Sequence, residues 1–214
     1  MTKRVCLSVV LLAVLATATP VVAAQAAAKA AVPANPDANA ASAQIFVKDL
    51  ADKAFAVLRD AKLAQADREA KFRQMLRGGF ALDLIGQSVL GVARRTATPA
   101  QMAAYNKAFP EYVLKIYANR LTDYSNTTLK VTGTIPAPRG DLLVRTVVTG
   151  QQVQKPVHAD WRVRSFPALG FKIIDLQVEG ISMTQTQRDE FAAKIQANGL
   201  DGLIAHLEQS SGLR

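Results

Sequence analysis

The hydrophobic pattern of this chain changes period once, just after Tyr124, and that change restricts the folds open to it. Before it, apolar residues recur three and four apart, as on one face of a helix; after it they alternate, as on one face of a strand. A first helix is predicted over Ile45–Arg59, with Phe46, Leu50, Ala54, Val57 and Leu58 in phase. A second opens with Asp67 as its cap, buries Phe72, Met75 and Leu76, and stops at Gly78-Gly79. A third covers Leu82–Leu90, ending at Gly91. The longest starts at Thr98-Pro99-Ala100-Gln101, a capping box with proline in the first turn, and Pro110 predicts a kink or break within it. Strands follow over Thr128–Thr134, Leu142–Thr149, Val157–Arg164 and Phe171–Val178, separated by Pro/Gly turns. Helices over Thr184–Ala197 and Asp201–Glu208, broken at Asn198-Gly199, close the chain. Helices, then grouped strands, then helices define an α+β fold in which a curved antiparallel sheet of about four strands cradles about six to seven helices.

The N-terminus sets the compartment. Lys3 and Arg4, an uncharged apolar stretch from Val5 to Ala18, and the small residues Val22-Ala23-Ala24 make residues 1–24 a secretory signal peptide. The Ala/Pro-rich segment 25–43 has almost no large apolar side chain and reads as a flexible tether. Residues 44–209 form a single domain and 210–214 a short tail. Cys6, the one cysteine, lies in the leader, so the processed chain holds no disulfide or thiolate metal ligand and its stability rests on an apolar core. Loss of Lys3 and Arg4 leaves 24 basic against 17 acidic residues, a charge of +7. An exported protein of that charge meets anionic lipid head groups or acidic protein surfaces, and no nucleic-acid role is expected.

Catalytic signatures are sparse. His158 falls on the charged face of a strand and His206 in the last helix, neither with a metal-ligand partner at strand or helix spacing. No G-x-S-x-G elbow and no phosphate-binding glycine loop occur. Asp160, Asp175 and Glu179 alternate with Arg162, Arg164 and Lys172, a pattern of cross-strand charge pairs rather than of an acid–base pair. The expectation is a protein that is not an enzyme and needs no cofactor. Apolar stripes by themselves do not separate a ligand pocket from an ordinary core.

Two motifs add more. Val89-Leu90-Gly91 is followed by Arg95-Thr96-Ala97-Thr98-Pro99-Ala100-Gln101, then Phe109, Tyr112 and Tyr117-Ala118; Asp175-Leu176-Gln177-Val178-Glu179-Gly180-Ile181-Ser182-Met183 precedes Asn198-Gly199-Leu200-Asp201-Gly202-Leu203. In these the chain resembles the MlaC family, also called toluene-tolerance auxiliary proteins, which are periplasmic phospholipid carriers of Gram-negative bacteria. It departs from many relatives at Val92 and Ala93, where they carry an aromatic residue, and at Pro110. The resemblance implies a fold of the NTF2/cystatin-like kind and a monomer in the periplasm. It would shuttle a phospholipid between inner and outer membranes and so maintain outer-membrane lipid asymmetry. The implied partners are an inner-membrane ABC transporter with a periplasmic lipid-binding ring and an outer-membrane lipoprotein complex, with Arg94, Arg95 and Arg139 as candidate steering charges. The residues expected to line an acyl-chain cavity are Leu84, Val113, Ile116 and Tyr117 from helices, and Val147, Trp161, Val163, Ile174 and Leu176 from the sheet. A hopanoid-like cargo is the first alternative; an exported enzyme with Asp175 or His158 acting in the cavity is the second.

Overall fold

The computed structural model describes residues 36–121, 126–150 and 153–213, within one compact unit, Ala34–Arg214. The expected signal peptide, and the expected tether as far as residue 35, lie outside the described residues. The rest of that tether is helix: α1 runs Pro36–Arg59 and buries Ala43 completely. A run of alanine looks unstructured because it lacks large apolar groups, yet alanine has the highest helix propensity, and Pro36 at the first position suits a helix start.

The remaining helices are α2 (Gln65–Gly79), α3 (Leu82–Leu90), α4 (Pro99–Leu121) and α5 (Met183–Ser211). Asp67 lies inside the first turn of α2 rather than capping it, because the helix begins after Ala64. The α4 capping box forms in both directions, Gln101 N–H donating to Thr98 Oγ1 at 3.2 Å and Thr98 N–H to Gln101 Oε1 at 3.0 Å. Pro110 causes no break, and α4 is one helix. The two closing helices are joined into α5 around Gly199, whose φ of 70° interrupts the helical path where the break was expected. It continues through Ser211 before Gly212 caps it, so the expected tail from residue 210 is largely helical.

Five strands, β1 (Thr127–Ala137), β2 (Asp141–Gly150), β3 (Val153–Phe166), β4 (Gly170–Val178) and the two-residue β5 (Ile181–Ser182), form an antiparallel meander in sequence order. β5 is one strand more than the periodicity suggests. It exists because Glu179 and Gly180 both take positive φ, 49° and 80°, and make a tight two-residue hairpin.

The outer face of the sheet is held by charge. Asp141, fully buried, accepts from Arg162 Nε at 2.8 Å and from Arg164 Nε at 2.6 Å and Nη2 at 2.9 Å. Burial opposes its ionisation, but the bonds and charges of Arg164 and Arg162 outweigh burial and hold its carboxyl below the usual carboxylate range. Cross-strand charge pairs thus occur, but Arg162 and Arg164 share Asp141 as their acid, Asp160 meets Arg145 at 3.8 Å, and Lys172 bonds the carbonyl of Gly78.

Two apolar clusters fill the inner side. One joins α3, α4 and α5 through Val89, Leu90, Tyr105, Ala108, Phe109, Tyr112, Phe191, Leu203, Ile204 and Leu207. The other joins α1 to the sheet through Ala43, Val47, Val144, Val163 and Ile173, flanked by Leu50, Phe80 and Trp161. Each large side chain so buried contributes about 1.5–3 kcal/mol.

Candidate functional site

Between the two clusters lies a cavity of about 240 Å³. α1 contributes Val47, Leu50, Ala51, Ala54 and Phe55, and α2 contributes Phe72, Met75 and Leu76. Phe80, then Leu82, Ile85 and Val89 of α3, Phe109, Val113 and Tyr117 of α4, and Leu129, Trp161, Ile173 and Leu176 of the sheet complete the apolar wall. Among the described residues, the polar and charged aliphatic side chains of the wall gather where β4 meets α5, at Asp175, Thr184 and Gln187.

Local sequence explains how these side chains are aimed. Trp161 pairs across the sheet with Val144 and Leu176, so the three share the inner face. Its indole N–H would be costly to bury unpaired; Thr146 Oγ1 accepts it at 3.1 Å and in turn donates to the carbonyl of Ala159. The Trp161 ring meets Phe80 edge-on at 6.5 Å, and Phe80 is fixed because Ala81 N–H donates to the Ile173 carbonyl at 3.0 Å. Gly86 of α3 permits close approach of α4: a Cβ there would lie 2.8 Å from Phe109 Cδ1.

Of the residues predicted to line a cavity, Val113, Tyr117, Trp161 and Leu176 do so. The other five lie elsewhere. Ile174 is displaced by a β-bulge: Arg162 pairs with Asp175 and Val163 with Ile173, leaving Ile174 as the extra residue and turning Ile173 inward, fully buried. Val147 pairs with His158 and Lys130, so it faces outward with them; Arg145, two residues earlier, is exposed on the same face and was the available signal. Val163 faces inward but belongs to the packed cluster at 1% exposure. Ile116 packs against the helical cluster, and Leu84 sits on the opposite face of α3, at a surface basin. What residue-by-residue reasoning missed is the share of α1 and α2. Val47, Leu50, Ala51, Ala54 and the pair Met75 and Leu76 recur at helical spacing and gave a detectable stripe, with nothing in it to separate wall from core.

The bulge also brings Asp175 to the start of α5. Its Oδ1 accepts from the N–H of Leu176 at 2.9 Å and of Thr184 at 3.1 Å, and its Oδ2 accepts from Ser182 Oγ at 2.7 Å. Ser182 Oγ in turn accepts from Gln185 N–H at 3.0 Å as the helix cap. The carboxylate thereby joins β4 to α5. His158 is on the outer face, where its backbone N–H donates to Glu179 Oε1 at 2.6 Å. His206 packs against Tyr112 at 6.1 Å; burial, then the charge of Lys194, pushes its pKa down. Among the described residues no group of three His, Cys, Asp or Glu side chains could hold a metal, and no helix is long and apolar enough to cross a membrane.

Sheet, helices and cavity together define the class: an α+β domain that keeps an apolar space between a meander and its covering helices. The chain belongs to the MlaC protein family, whose family model matches residues 48–209. It is similar to a toluene tolerance protein of Pseudomonas putida, 30% identical over 131 residues covering 56% of this chain and 55% of that protein. It is also similar to the intermembrane phospholipid transport system binding protein MlaC of Haemophilus influenzae, 24% identical over 132 residues, 61% of this chain and 62% of the relative. The alignments thus span a little over half the length of these relatives. In structure, the chain resembles a phospholipid-binding protein from Ralstonia solanacearum solved in complex with a phospholipid. The TM-score is 0.67 at 24% identity, covering 80% of this chain and 97% of that one.

Proposed function

We propose that this protein is a periplasmic carrier that holds the acyl portion of a phospholipid in the cavity between sheet and helices and moves it between the two membranes. The observation that carries the reading is a space of about 240 Å³ whose wall is apolar except at the β4–α5 junction. Two acyl chains of a common phospholipid expose on the order of 30 methylenes, and at about 0.8 kcal/mol each their transfer through water would cost roughly 24 kcal/mol. A soluble carrier removes that barrier by offering an environment close to the bilayer interior, and it needs no covalent step. The names of the relatives and family membership support the same reading. An inner-membrane ABC transporter with a lipid-binding ring and an outer-membrane lipoprotein complex are the donor and acceptor this reading requires, with the carrier diffusing as a monomer after cleavage behind Ala24.

At about 240 Å³ the space is below the roughly 300–1,000 Å³ typical of drug-sized sites. Loading a two-chain lipid therefore requires the wall to move outward. α2 is the element to yield, since among its residues only Phe72 and Gly79 are buried. Mass spectrometry of lipids extracted from the exported protein tests the proposal: phospholipid at near one mole per mole is expected. Leu76→Glu places a carboxylate in the wall and should empty the protein, whereas Val147→Glu, on the outer face, should leave it loaded. Equal lipid content in both variants, with circular dichroism showing both folded, sinks the cavity as the binding site; a hopanoid in the extract would replace phospholipid as cargo.

A further inference from the structure

A second concavity lies away from the cavity, enclosed by α3, the 3-10 turn Gly91–Arg95, the turn between β1 and β2, and the first half of α5, with a volume of about 640 Å³. Its deepest residues are apolar: Leu90 is 3% exposed, and Leu84 and Ile195 are half-buried beside it. Its rim carries Arg94, Arg95, Arg139 and Arg188 against one carboxylate, Asp189. Among the described residues none of these arginines makes an ion pair. Arg188 is nonetheless held in place, donating from Nε to the Ser88 carbonyl and from Nη2 to Ser88 Oγ, both at 2.8 Å. Arg139 stands in the left-handed region at φ 68°, a conformation that a non-glycine residue adopts at a cost. Val92, at the edge, is 78% exposed.

We propose that this basin is a docking site for an acidic, partly apolar segment of a partner protein, with an apolar side chain on the floor and carboxylates against the arginines. Charge complementarity fixes the sign, since four guanidiniums face one acid, and the fork of an arginine matches a carboxylate in two bonds where a lysine offers a point charge. Shape fixes the class of partner. A bilayer surface is broad and flat and would meet only the rim and Val92, leaving Leu84, Leu90 and Ile195 untouched, whereas a protruding side chain of a protein reaches them. One anchor point of this size gives weak, rapidly reversible, salt-sensitive association. The proposal does not depend on the identity of any cargo.

Binding is measured by fluorescence anisotropy on the processed full chain, with a short labelled peptide of Glu, Leu and Gly, its Lys-for-Glu counterpart, and phosphatidylglycerol vesicles as probes. The Glu peptide is expected to bind at low salt, the Lys peptide not, and the complex to weaken as screening shortens from about 8 Å at physiological ionic strength to about 3 Å at 1 M. Arg94→Glu/Arg95→Glu should lower affinity at least about tenfold, equivalent to about 1.4 kcal/mol. Ala192→Trp, which fills the basin without changing charge, should do the same, while Lys53→Glu/Lys62→Glu, in α1 and the turn that follows it, with an equal change of net charge, should not. The proposal is overturned if the wild-type chain ignores the Glu peptide, if the arginine variant binds it undiminished, if the lysine variant loses as much, or if vesicles bind in its place.

Discussion

The two apolar clusters are built from the same kinds of side chain, yet one closes on itself and the other stays open. In the helical cluster aromatic rings cover one another: Tyr105 stacks on Phe109 at 5.5 Å, Phe109 meets Phe191 edge-on at 6.2 Å, and Tyr112 leans on Phe191 at 5.9 Å. Tyr105 also satisfies its hydroxyl on the Gly86 carbonyl at 2.9 Å, and burial pushes its phenol pKa well up. On the sheet side, α1 and α2 set Ala51, Ala54 and Met75 among the larger Leu50, Phe55, Phe72 and Leu76, and the space between them and the sheet is not filled. Apolar composition decides where water is excluded; side-chain shape and helix approach decide whether the excluded volume is packed or hollow. Phe109 belongs to both regions, one side in the stack and the other in the cavity wall.

That contrast can be broken most severely at Phe191, which is fully buried between two rings. Phe191→Ala should cost about 3–5 kcal/mol in urea unfolding. A loss under about 1 kcal/mol would mean the helical cluster is as loose as the other. Gly86→Ala comes next, at about 1–3 kcal/mol, because the new methyl must displace the Phe109 ring. If the ring moves toward the cavity, lipid content should drop with stability, linking the regions through one residue. Leu76→Ala in the open wall should cost only about 1 kcal/mol, since that side chain already borders empty space. A cost equal to that of a packed leucine would show the wall to be closed in solution.

The smallest effect is a pH dependence that differs between the regions. His206, in the helical cluster, has a pKa lowered by burial and by Lys194, so folding disfavours its protonation. Its contribution is complete above the ordinary histidine pKa near 6.5 and declines as pH falls through that value; His206→Phe should flatten stability there. Asp141, on the sheet, has a lowered pKa, so its contribution persists to lower pH and is lost only as pH falls through its depressed value, below 3.8. Urea midpoints across this range should show two separate declines, histidine first.

Much of the architecture was legible because its signals are local. The ends of α3, the capping box of α4 and the interruption at Gly199 are each written in residues within one turn of the feature. The cavity wall was half legible, and the failures share a cause. β2 carries apolar residues on both faces, Leu142 and Val144 inward, Leu143 and Val147 outward, so alternation alone does not fix its parity. β4 presents Ile173 and Ile174 in succession, and only the bulge, set by pairing with a distant strand, decides which faces in. Thr146 reverses the usual sign, a polar residue buried because Trp161 and Ala159 supply its bonds.

The sequential meander has a consequence for how the molecule assembles. Every strand pairs with its neighbour in the chain, so the sheet can zip up hairpin by hairpin as the polypeptide emerges, with short loops to close at each step. α5 is made after the sheet, yet it supplies Phe191, Leu203 and Leu207, the lid over the rings of α4. A chain stalled before residue 191 would hold a nearly finished sheet beside an uncovered row of Tyr105, Phe109 and Tyr112. The vulnerable moment in the life of this protein is therefore the interval before α5 arrives, when that aromatic row is open to chaperones, proteases and other unfinished chains.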